Sequence, residues 1–516
     1  MHVNILWVDD EIDLLRPHIL FLEQKGYILS AATNGEDAME MVKRNDYDLI
    51  FLDENMPGLS GLEVLSQIKV ACPSVPVVMI TKSEEENIMD QAVGSNIADY
   101  LIKPVNPNQI LLSIKKHVHN RDLVTEKTTA DYRTAFSKIG MEIGMASSFD
   151  EWSEVYRKLS QWRLQINESS DSSVAEIFAM QMNEANTEFG KFIKSNYINW
   201  FHPNCTSRPT MSHNILKENV FPLLDSGQKV LFILIDNLRF DQWKAIESII
   251  APYLRVDKER IFCSILPTAT QYARNALFSG LMPYEIQRLH PEHWVFDEED
   301  AGKNLFEEEL LHRHIQRLGK NYKVHYEKTG TLRSDSQLAT NLKGVLNNNL
   351  TVLVYNFIDM ISHARTEMEM MRQLASDEAA YLSLTRSWFM HSELFELLKN
   401  AANQQVKVVI TTDHGTIRVQ NPVKVVGDRA TSTNLRYKLG KSLNYNPKQV
   451  FEIRKPEEAH LPKPNVSSSF IFALGNDFLA YPNNYNYYVK YYRDTFQHGG
   501  VSLEEMLIPY VELKPI

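Results

Sequence analysis

The stretch VVITTDHGT, residues 408–416, decides how the chain is read. A run of β-branched apolar residues that passes directly into an aspartate and a histidine is the pattern of a parallel strand buried on both faces. The crevice beyond the carboxyl end of such a strand is where open α/β sheets bind ligands. The same design recurs in KVLFILID (229–236) and TVLVYNFID (351–359), so three apolar runs deliver Asp236, Asp359 and Asp413. His414 adjoins the last of these, and His363 follows Asp359 by four residues, a spacing that one helical turn brings to one face. Near the end of the chain, QHGGVSLEEMLIP offers His498 before a glycine pair.

Three aspartates and three histidines suit zinc, which takes imidazole and carboxylate where thiolates are lacking, and six such ligands are enough for two ions sharing a site. Two zinc ions a few ångströms apart clamp the attacking and leaving oxygens of a phosphoryl displacement. SILPTATQYARNALFSG (264–280) supplies a nucleophile: Thr270 opens an expected helix, where backbone amides and the helix dipole favour an alkoxide and a phosphate. Arg239 and Arg274 are candidates to pair with phosphate oxygens. The basic run holding Lys424, Arg429, Arg436, Lys438 and Lys441 reads as a solvated hairpin or as a patch that steers a polyanion.

Working outward to the amino terminus, NILWVDDE (4–11) and YDLIFLDENMPG (47–58) are again apolar strands ending in acid, at Asp9 and Asp10 and at Asp53. Helix-like stretches follow, then strands VPVVMIT, ending at Thr81, and ADYLIKP, ending at Lys103. Three carboxylates at one crevice repel unless a cation neutralises them, and hard oxygen ligands suit magnesium. A hydroxyl and an ammonium complete a phosphate cradle.

Between these regions, residues 108–202 contain no proline and three glycines, and their periodicity predicts three long helices with Ser/Asp caps between them. Trp152, Tyr156, Trp162, Phe178, Phe189 and Phe192 are read as the core of a helical bundle. The expected organisation is therefore an α/β multidomain chain: a doubly wound α/β domain over 1–120, a three-helix linker over 121–205 and a second α/β domain over 206–516.

Charge and cysteine usage narrow the function. Residues 1–120 hold 18 Asp/Glu against 9 Lys/Arg, so −9 of the net −11 lies there, and no part carries the basic excess of a duplex DNA binder. Three dispersed cysteines, Cys72, Cys205 and Cys263, fit a reducing cytoplasm, and no apolar run reaches membrane-spanning length.

Taken in order, Asp9, Asp10, Asp53, Thr81 and Lys103 resemble the flavodoxin-like receiver domain of two-component response regulators. The resemblance implies phosphorylation of Asp53 by a sensor histidine kinase. It also implies magnesium on Asp9, Asp10 and the Asn55 carbonyl, phosphoryl contacts from Thr81 and Lys103, a commonly cis Lys103–Pro104 bond, and a switch role for Tyr100. The carboxyl-terminal set resembles the alkaline phosphatase superfamily, in particular its nucleotide phosphodiesterase and PglZ branches. That likeness implies one zinc on Asp359, His363 and His498 and another on Asp236, Asp413, His414 and the Thr270 oxygen, with diesterase rather than monoesterase action. The whole order of domains is similar to the PorX-type response regulators of type IX secretion. This implies oligonucleotide or nucleotide diesters as substrate and secretion machinery or a sigma factor as partner. The receiver resemblance implies a phosphorylation-promoted homodimer through the face with Ile88, Met89, Val93, Lys115 and Lys116; the other reading of that stretch is an ordinary amphipathic surface helix. A competing expectation is a scaffold in which zinc is structural and phosphorylation exposes a binding face.

Overall fold

The computed structural model describes residues 3–72, 75–81, 97–168, 172–296, 304–329, 347–367, 377–428 and 431–516. The chain divides into two compact units, residues 1–131 with 168–171, and residues 132–167 with 172–516.

In the first unit, strands β1 (Asn4–Val8), β2 (Ile28–Ala32), β3 (Leu49–Asp53), β4 (Val77–Thr81) and β5 (Asp99–Ile102) alternate with helices α1 (Arg16–Gln24), α2 (Gly35–Arg44), α3 (Gly61–Ala71) and α4 (Pro107–Ile114). The sheet is wholly parallel in the order β2-β1-β3-β4-β5. This is the flavodoxin-like doubly wound arrangement, whose ligand crevice lies where strand order reverses, between β1 and β3. Successive residues of β1 and β3 serve opposite faces, so Leu6, Val8, Ile50 and Leu52 fill one apolar layer and Ile5, Trp7, Leu49 and Phe51 the other. Capping boxes fix two of the helix starts, Ser60 with Glu63 and Asn106 with Gln109. The segment 82–96, which carries Ile88, Met89 and Val93, lies outside the described residues.

The three long helices are α5 (Asn120–Met145), α6 (Phe149–Glu168) and α7 (Ser172–Asn196). In the second unit their aromatic residues do not close a core of their own. Trp152, Tyr156 and Phe189 are buried in one apolar cluster together with Phe240, Trp243 and Leu266. The Tyr156 ring lies 6.1 Å from that of Phe240, and the Tyr197 hydroxyl accepts a hydrogen bond from the Leu266 amide at 2.8 Å.

The main sheet of this unit comprises β6 (Val230–Ile235), β7 (Leu254–Cys263), β8 (Val324–Thr329), β9 (Leu350–Tyr355), β10 (Lys407–Thr411) and β18 (Leu507–Pro515). Its order is β7-β18-β10-β6-β9-β8. β10, β6, β9 and β8 are parallel, and β18 runs antiparallel to both its neighbours. Every residue of β6 and β9 is buried, as the continuous Val/Ile/Leu runs require. Helices α8 (Phe240–Ile250), α9 (Thr270–Ser279), α10 (Glu307–Arg317), α11 (Phe357–Glu367) and α12 (Glu378–Met390) flank it.

A smaller region follows: β11 (Ile417–Arg418), β12 (Asn421–Lys424), β13 (Tyr437–Gly440), β14 (Val450–Ile453), β15 (Ser469–Ala473), β16 (Asp477–Ala480) and β17 (Phe496–Gln497), with α13 (Leu503–Met506) before β18. The basic run at 424–441 turns back on itself, with Val426 and Asn444 in an antiparallel bridge, but its charges do not share one solvated face: Lys424 is exposed while two others are buried. β12 pairs with β16 and β13 with β15, and Arg436 and Lys438 are buried. Arg436 pairs with Glu505 at 2.6 Å, and Lys438 donates to the Ser432 carbonyl at 3.0 Å. Arg429 lies outside the described residues.

Candidate functional site

Because β6, β9 and β10 are adjacent and parallel, their carboxyl ends open at one place. Asp236 follows β6 directly, while Asp413 and His414 follow β10 by a short turn. Ligand atoms of these three buried residues all lie within 4.8 Å of one another. The third strand behaves differently from the sequence reading: β9 stops at Tyr355, and Asp359 stands in the first turn of α11. His363 is one turn further along the same helix; its side chain lies outside the described residues.

His498 comes from the far side. Its Nε2 lies 3.6 Å from Asp359 Oδ1, and its ring stacks on that of His414 with centroids 4.2 Å apart. Hydrogen bonds to carbonyls fix both rings: His498 Nδ1 meets the Thr268 oxygen at 3.2 Å, and His414 Nδ1 meets the Gly415 oxygen at 3.2 Å. Each Nε2 is thereby directed at the carboxylates, the outer-shell arrangement that sets tautomer and aim in metal-binding histidines. Thr270 opens α9, with its Oγ1 3.1 Å from His414 Nε2. The cluster of Asp236, Asp413 and His414 fits a cation on one concrete ground: Asp236 Oδ1 is buried without a hydrogen-bond partner, 3.8 Å from His414 Nε2.

Electrostatics agree. Burial pushes the Asp236 carboxyl well above its usual range against the pull of Arg274, and Asp413 and Asp359 add to the rise. Burial acts on Asp413 in the same sense, but Arg274 and His414 outweigh it and hold that carboxyl low. Anionic ligands packed this closely call for more positive charge than one arginine supplies.

The two arginines read as candidate phosphate contacts are both paired with protein carboxylates. Arg274 is buried and turned onto the ligands themselves: it pairs with Asp236, with Asp413 at 2.9 Å and with Glu307 at 3.3 Å. Arg239 is held by Asp241 at 2.5 Å and Glu378 at 2.7 Å, over the rings of Tyr381 and Phe496. A buried guanidinium needs carboxylate partners, and here protein carboxylates take both.

One contributor was missed. Asn237 adopts φ 67° and donates to Asp359 Oδ1 at 3.3 Å and to Ser362 Oγ at 3.1 Å, steering the β6 and β9 ligands together. An asparagine directly after a strand-end aspartate was the available signal, since Asn tolerates the left-handed region.

The receiver cluster is built on the same plan. Asp9, Asp10 and Asp53 bring carboxylate oxygens within 4.8 Å of one another, and Lys103 Nζ reaches Asp9 at 2.7 Å and Asp53 at 2.8 Å. Asp53 Oδ1 is buried and unpartnered, so this cluster too has a place for a cation. The Asn55 amide bonds Asp53, Tyr100 shares a hydrogen bond with Thr81, and the Lys103–Pro104 bond is cis. Burial raises the Asp53 carboxyl, Lys103 opposes this, and Asp9 adds to it. A third group, His290, Glu292 and His293, also brings ligand atoms close, but Arg313 and Arg317 add positive charge around it, which disfavours a cation.

Comparison with known proteins gives three family matches. The BREX system PglZ alkaline phosphatase-like domain matches residues 215–513, the PorX response regulator linker domain residues 122–201, and the response regulator receiver domain residues 5–115. The transcriptional regulatory protein ResD of Bacillus subtilis is 37% identical over 112 residues, 22% of this chain and 46% of that one. The alginate biosynthesis transcriptional regulatory protein AlgB of Pseudomonas syringae is 35% identical over 120 residues, 23% and 27% of the two chains. The chain thus spans about a quarter to a half of the length of the curated relatives it matches. Among solved structures, a CheY-like receiver from Methanospirillum hungatei is 24% identical with TM-score 0.23, covering 23% of this chain and 96% of that one. TrrA of Thermotoga maritima, in complex with Mg2+ and BeF, is 30% identical with TM-score 0.21, covering 22% and 97%. No helix among the described residues is long and apolar enough to cross a membrane.

Proposed function

For a chain that belongs to the BREX system PglZ alkaline phosphatase-like family, we propose a response regulator whose output domain is a two-zinc phosphodiesterase acting on nucleotide or oligonucleotide diesters. Receiver, PorX linker and PglZ domains follow one another in the PorX order, and a receiver implies a sensor kinase as partner. By the same architecture, the partners downstream are secretion machinery of the type IX class or a sigma factor.

The observation that carries this reading is the Thr270 hydroxyl, held 3.1 Å from His414 Nε2 at the first turn of a helix and beside three clustered ligands. Asp359, His363 and His498 would hold one zinc, and Asp236, Asp413, His414 and Thr270 the other. Bound zinc would supply Lewis acidity, favouring the alkoxide of Thr270 and offsetting charge on phosphoryl oxygens. The amino-terminal amides of α9 favour negative charge at the same point. Carbonyl-anchored His414 and His498 keep their Nε2 atoms aimed inward, and Arg274 holds the Asp236 and Asp413 carboxylates in register. In the receiver, Lys103 and Thr81 would meet the phosphoryl oxygens on Asp53, with magnesium on Asp9, Asp10 and the Asn55 carbonyl.

A scaffold with structural zinc draws support from the complete burial of Asp413 and His414. One experiment separates the two. Zinc-loaded protein is expected to cleave bis(p-nitrophenyl) phosphate faster than p-nitrophenyl phosphate, with activity lost to a chelator and restored by zinc. Stoichiometric zinc with no turnover of either ester or of short oligonucleotides would leave the scaffold. For the switch, a beryllofluoride mimic with magnesium is expected to move the protein from monomer toward dimer in sedimentation, and Asp53→Ala to abolish the shift. An unchanged mass distribution removes dimerisation from the account.

A further inference from the structure

Five residues behind the metal ligands lie in one buried polar lattice, and two of them belong to the long helices rather than to the α/β fold. Arg163, on α6, is 5% exposed, and its guanidinium spans Asp241 at 2.8 Å and Glu504 at 3.0 Å. Asp241 is shared with Arg239, and Glu504 accepts a second hydrogen bond from Asn186 of α7 at 3.0 Å. Asn186 Oδ1 also accepts the Leu503 amide at 2.8 Å.

The two acids are placed where the ligand loops end. Asp241 lies in the first turn of α8, five residues after Asp236, and Glu504 lies in α13, six residues after His498. The third loop touches the lattice through Gly415, the neighbour of His414. Its amide donates to the Glu505 carbonyl at 3.2 Å, and a Cβ there would collide with the Glu504 carbonyl oxygen. Such a contact tolerates no drift of α13 without moving His414. Arg163, Phe178, Asn186, Glu378 and Arg418 line a cavity of about 340 Å³ beside the lattice.

A buried ion pair adds little net stability over apolar packing, yet its rigid bidentate geometry specifies position. We propose that Arg163 is a positioning residue through which helix α6 sets the separation of the Asp236 loop from the His498 loop, making the linker the tuning element of the output site. The inference rests on reading Asp236 and His498 as metal ligands in that site.

Hydrogen–deuterium exchange on the full-length, metal-free protein tests it. Arg163→Met is expected to speed exchange about tenfold or more in both 236–242 and 498–506, with Arg163→Lys giving partial rescue. The control is Lys158→Met: Lys158 lies on the same helix and pairs with Glu142 at 2.6 Å, away from the lattice and from both reporter segments. Its removal is expected to leave those two segments unchanged. In cobalt-substituted protein, Arg163→Met is further expected to shift the visible absorption bands, and in active protein to lower kcat with KM for a small diester unchanged. Faster exchange confined to 149–168, or the same response from Lys158→Met, overturns the proposal. If the Met variant fails to fold, the Lys variant is read by the same criterion: slower exchange than wild type or no change in both loops overturns it. Because exchange needs neither metal nor turnover, an inactive wild type would remove the diesterase reading alone.

Discussion

The receiver and the output domain place the same apparatus at the carboxyl ends of parallel strands, and differ in how each holds its cation. In the receiver the cation is Lys103, 12% exposed in its side chain, reaching two carboxylates while Asp10 faces solvent. In the output site it is Arg274, 1% exposed, fixed among Asp236, Asp413 and Glu307. A flexible point charge at a partly open site can yield to an arriving phosphoryl group, as a switch requires. A rigid buried fork instead holds ligands in place, as a metal centre requires. On the proposed function, one strand-end pattern would serve a reversible mark in one domain and a standing metal site in the other.

The sharpest break would come from chemistry. Thr270→Val is expected to lower diester turnover by about a thousandfold or more with zinc content intact, since a nucleophile acts as a unit with its activators. Turnover near wild type in correctly loaded protein would remove Thr270 as nucleophile and move the attack to another group, such as a metal-bound hydroxide.

Next in size is the cation swap. Arg274→Met leaves buried carboxylates uncompensated and is expected to cost about 3–5 kcal/mol in denaturant unfolding of metal-free protein. Zinc should return part of that loss. Lys103→Met should cost far less, because the receiver cluster opens to solvent at Asp10 and along the Lys103 side chain, whereas Arg274 and its partners are enclosed. Equal losses would erase the distinction between the two cations.

Lys438 gives a third, intermediate test. Burial pushes its ammonium down to about 7, while in the unfolded chain it titrates near the ordinary lysine value of about 10.4. The unfolded state therefore holds more protons between these limits, so the stability deficit is full below pH 7 and fades as pH rises toward 10. Lys438→Met should raise the unfolding free energy by a few kcal/mol near pH 6.5 and by much less near pH 9.5. A gain independent of pH would mean the ammonium is not the cause.

The smallest effect concerns Asp53, whose folded carboxyl is raised by burial. The cost of ionising it is absent at low pH and complete once pH exceeds its folded value, so Asp53→Asn should stabilise the receiver by a few degrees at neutral pH and hardly at all near pH 4. Thermal scans at both pH values decide it.

Much of this comparison was legible in the sequence, because strand ends announce themselves: apolar runs stopping at Asp9, Asp53, Asp236 and Asp413 needed no tertiary information. Thr270 was legible for the same reason, as a hydroxyl opening a helix. The partners of Arg239 and Arg274 were not. Asp241 and Asp413 select those guanidinium groups through burial, and burial depends on how separate segments pack. The aromatic periodicity of α6 and α7 marked core positions without indicating that Phe240 and Trp243 would share that core. The burial of Arg436 and Lys438 within the 424–441 run was not legible, because β12 and β13 pair with strands far ahead in the chain, β16 and β15, and composition gives no hint of non-local pairing.

β10 waits for one of its two neighbours. β6 is synthesised long before it, but β18 begins about a hundred residues after β10 ends. At a typical ribosomal rate of about 5–20 residues per second, that interval is roughly 5–20 s. Throughout it the edge behind Asp413 has no strand beside it, whereas every pairing of the receiver sheet is available once residue 102 has emerged. A nascent chain can therefore own a finished receiver fold while its second sheet still exposes an edge, so translation itself orders the two halves in time. Pausing between codons 411 and 507 would prolong the stage at which that edge invites chaperones or mispairing.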